Sequence, residues 1–66
     1  MNITLNGKTE PFIKQTKLIE LLNNKKLSPD SIIVEINGVI LKRNEFNSIN
    51  INEQDKIEIL RFVGGG

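Results

Sequence analysis

Asp55-Lys56-Ile57-Glu58-Ile59-Leu60-Arg61-Phe62-Val63-Gly64-Gly65-Gly66 decides the reading of this chain. Residues 56–63 have the composition of a strand. Along it Ile57, Ile59, Arg61 and Val63 face one way, and Glu58, Leu60 and Phe62 face the other. The strand runs straight into Gly64, Gly65 and Gly66, where the sequence stops. A glycine run usually joins two elements, whereas this one leads to a carboxylate with no side chain near it. Lacking a Cβ, such a tail fits a channel too narrow for any other residue. The plainer alternative is a frayed terminus or an expression scar.

Upstream of that strand, Glu53-Gln54-Asp55 reads as a turn. Residues 42–52 are polar with Phe46, Ile49 and Ile51 as apolar anchors, which suggests a loop with one helical turn and Phe46 in a satellite cluster. Val39-Ile40-Leu41 is a short strand, preceded by Asn37-Gly38, and Ile32-Ile33-Val34-Glu35-Ile36 is strongly β-branched. Asn-Gly suits a two-residue hairpin turn because both positions tolerate positive φ.

Further upstream, Thr16 is a candidate helix N-cap. Leu18, Leu21 and Leu22 make an apolar stripe at helical spacing, widened by Ile19. Glu20 in the first turn and Lys25 and Lys26 in the last would suit the helix dipole, giving a helix of roughly ten residues before Ser28-Pro29-Asp30. Met1, Ile3 and Leu5 alternate with Asn2, Thr4 and Asn6 as a half-buried strand. Asn6-Gly7 turns it into a second strand over 8–13, where Pro11 demands an edge or a bend.

The expected order is β-β-α-β-β-β. A single helix must cover one face of a mixed sheet of about five strands, because an α+β domain buries its apolar surfaces between two layers. Leu18, Leu21 and Leu22 against Ile3, Leu5, Ile57, Ile59 and the inward residues of 32–36 would form the core. Residues 1–63 form the domain and 64–66 a flexible tail.

Composition narrows the function. A chain of 66 residues is one small domain, and one this size buries only about 60% of its unfolded surface. With no cysteine it has no thiol nucleophile and no disulfide; with no histidine it lacks the usual base and the commonest metal ligand. Nine basic and eight acidic residues are interspersed, unlike the basic stripe of a nucleic-acid surface. Apolar runs reach only three residues, far short of a membrane span, and no secretory signal opens the chain, so a cytoplasmic protein is expected. No cluster suggests catalysis or a metal site, and Glu53 and Asp55 read as turn residues.

The order, length and ending resemble the β-grasp fold and, within it, the ubiquitin-like sulfur carriers of the ThiS family, which serve thiamin biosynthesis. The resemblance covers essentially the whole chain. Its residues are Ile3-Thr4-Leu5-Asn6-Gly7, Leu18-Ile19-Glu20-Leu21-Leu22, Val34-Glu35-Ile36-Asn37-Gly38-Val39-Ile40, Arg43-Asn44-Glu45-Phe46 and, most specific, 55–66. Three positions depart from the family pattern. Gln54 stands where glycine is usual before the aspartate, Lys26 at a usual glycine at the helix end, and Lys42 at a common proline. A residue other than glycine in the left-handed region costs roughly 1–2 kcal/mol.

The resemblance implies a carrier without catalytic residues, acting as co-substrate of partner enzymes. A ubiquitin-activating-like adenylyltransferase would use ATP to adenylate Gly66, the carrier itself holding no cofactor. A cysteine desulfurase or related donor would supply sulfur, leaving a thiocarboxylate. A thiazole synthase would then accept the sulfur. Gly64 and Gly65 would let the backbone lie in partner channels. Ordering that tail costs roughly 1–2 kcal/mol per residue, so the folded surface must supply affinity. Leu60 and Phe62, opposite the Ile57 and Ile59 face, are the docking candidates, the alternative being that they pack internally. Arg61 would pair with partner carboxylates or be simply solvated. Three other readings are open: a carrier for molybdopterin or another thiolated product, a protein modifier joined through Gly66, and a non-covalent interaction module.

Overall fold

The computed structural model describes residues 1–62. Two Asn-Gly turns build two hairpins. Asn6 and Gly7 have φ of +48° and +83°, Asn37 and Gly38 +51° and +86°, the paired positive values of type I′ turns. The first turn joins β1 (Asn2–Leu5) to β2 (Lys8–Pro11), and the second joins β3 (Ile32–Ile36) to β4 (Val39–Ile40). β5 (Lys56–Arg61) lies between the hairpins, parallel to β1 and antiparallel to β3. The five-stranded sheet has the order β2-β1-β5-β3-β4. With α1 (Leu18–Asn24) it is the mixed β-grasp sheet and helix that the sequence implies.

Several boundaries differ from expectation. β2 ends at Pro11 rather than at residue 13, and a turn follows with Gln15 at φ +70°. The Thr16 hydroxyl donates to the Ile13 carbonyl at 2.5 Å and so closes that turn. The N-cap is therefore Lys17 and not Thr16. Its own N–H donates to Glu20 Oε1 at 3.0 Å. The helix start is further pinned by main-chain bonds to the loop before β5: Leu18 N–H to the Ile49 carbonyl at 2.9 Å, and Ile51 N–H to the Thr16 carbonyl at 3.0 Å.

The helix has 7 residues rather than about ten, and Lys25 and Lys26 fall beyond its last turn. Lys26 is left-handed at φ +59°. The Lys26 N–H meets the Asn23 carbonyl at 3.0 Å and the Leu27 N–H meets the Leu22 carbonyl at 2.9 Å. These are the two bonds of a Schellman ending, which normally places glycine at the left-handed position. Lys25 instead pairs with Glu10 on β2, tying the helix end to the edge strand.

The core lies between the helix and one face of the sheet. Leu18, Leu21 and Leu22 pack with Ile3, Ile32, Val34 and Ile57, and Leu5 and Ile59 close its margin. Phe46 corrects the sequence reading: it belongs to this main core and is 2% exposed. A 3₁₀ turn at Arg43–Glu45 delivers it there, and the Arg43 guanidinium sits 5.4 Å from its ring centroid. The turn starts with Lys42 N–H donating to Glu45 Oε1 at 2.7 Å, a bond that the more usual proline could not make. Ile51 is buried as well.

Asp55 is the sole buried charged residue among the described residues. Its Oδ2 accepts the Asn52 N–H at 2.8 Å and its Oδ1 accepts from Asn37 Nδ2 at 2.9 Å. Asn37 Oδ1 in turn accepts the Lys56 N–H at 2.9 Å. The second hairpin turn and the start of β5 are thus one bonded unit. Gln54 takes φ +69° beside it, and its N–H donates to the Asn2 carbonyl at 2.8 Å.

Candidate functional site

β5 is the central strand of the sheet, with two strands on either side. Alternation gives it two faces. Ile57 is fully buried and Ile59 half-buried against the helix, while Leu60 on the other side is 65% exposed. Phe62, two residues on, is 46% exposed, and its N–H donates to the Ser31 carbonyl at 3.2 Å. Leu60 therefore stands mostly in the open, and Phe62 is partly covered. Arg61 is exposed but is in register with the buried Ile32, so it belongs to the opposite side of the strand from Leu60. Gly64, Gly65 and Gly66, the candidate tail, lie outside the described residues, as does Val63.

Register extends the open face beyond the residues that the sequence singled out. Ile33 on β3 stands opposite Leu60, and Glu35 opposite Glu58. Ile40 on β4 stands opposite Glu35. Residues paired across neighbouring strands share a face, so Ile33, Ile40 and Leu60 form one apolar group around two carboxylates. Ile33 and Ile40 are 41% and 66% exposed. Ile33 could have been found by taking period two seriously in 32–36, where Ile32, Val34 and Ile36 already fill the inner face. Exposed apolar side chains grouped in this way make a candidate interaction surface, whereas scattered ones need no explanation.

The open face has no catalytic constellation. No histidine or cysteine exists in the chain, and among the described residues no three acidic, histidine or cysteine groups converge as metal ligands. No helix among these residues is long and apolar enough to cross a membrane. The surface offers exposed apolar side chains and a pair of carboxylates.

A model of the ThiS family matches residues 3–66. The chain belongs to the ThiS family. The sulfur carrier protein ThiS of Bacillus subtilis (strain 168) is 37% identical over 65 residues, covering 97% of this chain and 98% of that protein. An uncharacterized protein, ycf40, of Porphyra purpurea is 41% identical over 68 residues, with 100% and 93% covered. A thiazole synthase of Magnetococcus marinus is 33% identical over 66 residues, covering all of this chain but 20% of that longer protein. The crystal structure of the thiamine biosynthesis protein ThiS from Geobacter metallireducens superposes with a TM-score of 0.85 at 35% identity, covering 100% of both chains. ThiS-family membership and the β-grasp fold therefore agree from two directions.

Proposed function

We propose that this ThiS-family protein is a sulfur carrier of thiamin biosynthesis, acting as co-substrate of partner enzymes. The observation that carries the reading is the family match, which extends through Gly66, the residue that the chemistry requires. A carboxylate is a poor acyl donor because its leaving group would be oxide. An adenylyltransferase of the ubiquitin-activating type joins the Gly66 carboxylate to the α-phosphate of ATP, and pyrophosphate leaves. A sulfur nucleophile, supplied by a cysteine desulfurase or a related donor, attacks the acyl carbon and expels AMP. Where the nucleophile is a persulfide on the donor, the acyl disulfide that forms is cleaved by a thiol reductant, which becomes disulfide-bonded to the donor cysteine, and Gly66 ends in a thiocarboxylate. A thiazole synthase accepts this sulfur. The full-length similarity to one segment of a thiazole synthase chain supports that acceptor, since it pairs such a domain with such an enzyme in one polypeptide.

The folded surface and the tail divide the work. Leu60 and Phe62, with Ile33 and Ile40 beside them, supply apolar docking area. Gly64 and Gly65 let the backbone enter the partner's active site where a Cβ would clash. Arg61, on the other side of the strand, would pair with partner carboxylates. The absence of His and Cys from the chain fits a division in which catalysis belongs to the partners.

The test is ATP-dependent adenylation by the cognate adenylyltransferase, followed by pyrophosphate release. Wild-type chain should support it, and chain lacking Gly66 should not, with an unchanged melting temperature. Equal activity of the shortened chain would refute activation at Gly66.

A further inference from the structure

We propose that Glu35 and Glu58 form an anionic clamp at the centre of the open face, and that the adenylating partner seats an arginine or lysine from its own apolar contact surface between them. The proposal rests on the carrier reading and specifies how that partner is recognised.

Glu35 and Glu58 are directly opposite on β3 and β5. In such a pair the Cβ atoms stand about 4.5–5.5 Å apart, and like charges there destabilise the sheet. Among the described residues neither carboxylate has an ion-pair partner. Among the described residues the ion pairs are Lys25–Glu10 and Arg43–Asp30, both elsewhere. Lys56 is on the same side of β5, two residues before Glu58, yet bridges neither carboxylate. A solvated sheet face has no need of two adjacent carboxylates, since threonine, or a glutamate opposite a lysine, would serve it better.

The surroundings give the pair a use. Ile33 and Leu60 flank it along the strands and Ile40 flanks it across them, all exposed. A partner that covers these apolar groups must also strip water from the carboxylates between them. That is costly unless the partner supplies positive charge. A purely apolar or acidic surface is therefore rejected, and one with a basic side chain inside an apolar ring is accepted. Arginine meets the geometry best, because its planar fork can hydrogen-bond two carboxylates at once. The pair also fixes the register of docking, and so the direction in which the tail leaves.

The experiment measures binding of the cognate adenylyltransferase to wild type, Glu35→Gln, Glu58→Gln and the double variant. It is run at low and high salt, alongside melting curves and ATP-driven adenylation. Each single variant should weaken binding about tenfold, a change worth roughly 1.4 kcal/mol. The double should lose less than the product of the singles, because both carboxylates share one cation. The double variant should also lose most of the salt dependence. Melting temperatures should hold or rise as the like-charge contact is relieved. Unchanged affinity in the double variant, with wild type adenylated normally, would overturn the clamp alone. Weaker binding accompanied by a lower melting temperature would overturn it in favour of a structural role. A wild-type chain that is bound and adenylated by nothing would overturn the carrier reading and the clamp together.

Discussion

The two sides of β5 were built from one alternating stretch and met opposite fates. Ile57 is fully enclosed by the helix leucines, while Leu60, three residues on, is 65% exposed. Across the sheet the same division holds on β3, where Val34 is fully enclosed and Ile33 is 41% exposed. Hydrophobicity does not distinguish the sides; the single helix does, since it can cover only one of them. On the covered side an isoleucine contributes to folding. On the open side the same residue type keeps much of its surface in solvent and so buries less on folding.

The sharpest way to break this comparison is to remove a side chain from the covered side. Phe46→Ala should cost about 3–5 kcal/mol in urea unfolding, because it empties part of the main core. A loss below about 1 kcal/mol would return Phe46 to a satellite role. Lys26→Gly sharpens the comparison from the fold's weak point. The left-handed φ of +59° is unfavourable for lysine, so glycine should raise stability by about 1 kcal/mol. For a domain of this size that raises the melting temperature by about 4–8 °C. The smallest stability effect belongs to the open side. Leu60→Ala should shift unfolding by no more than about 0.5 kcal/mol while slowing adenylation at low carrier concentration. Normal adenylation with lowered stability would reverse the roles assigned to the two sides.

What was legible in the sequence was local. The two Asn-Gly turns, the helix leucine stripe and the strand alternation each depend on a few neighbouring residues, and each appears where its chemistry predicts. The left-handed positions of Lys26 and Gln54 were also foreshadowed by departures from the family pattern. What was hidden depends on distant partners. Thr16 looked like an N-cap, but its carbonyl serves Ile51 and its hydroxyl serves Ile13, which moves the cap to Lys17. Phe46 and Ile51 lie in a polar stretch without periodicity, so nothing nearby announced that they complete the core. Asp55 read as an ordinary turn residue because its tie to Asn37 crosses from the end of one segment to another hairpin.

The site was legible in the same uneven way. The outward position of Leu60 and Phe62 followed from the period of one strand. Ile33 was within reach of the period in 32–36, whereas Ile40 and the Glu35–Glu58 pair needed the register between strands, which the chain alone does not display. Arg61 was grouped with Leu60 and Phe62 by proximity in sequence, but the register of β5 assigns it to the other side.

The central claim is that Gly66 carries sulfur, and the most direct test is an intact mass spectrum of the protein freshly purified from its native cells without oxidant, repeated after incubation with ATP, sulfide and the adenylating partner. The account predicts a species heavier by the difference between one sulfur and one oxygen, mapped by fragmentation to Gly66. An unmodified mass that persists through the incubation would contradict it and leave a β-grasp interaction module in its place.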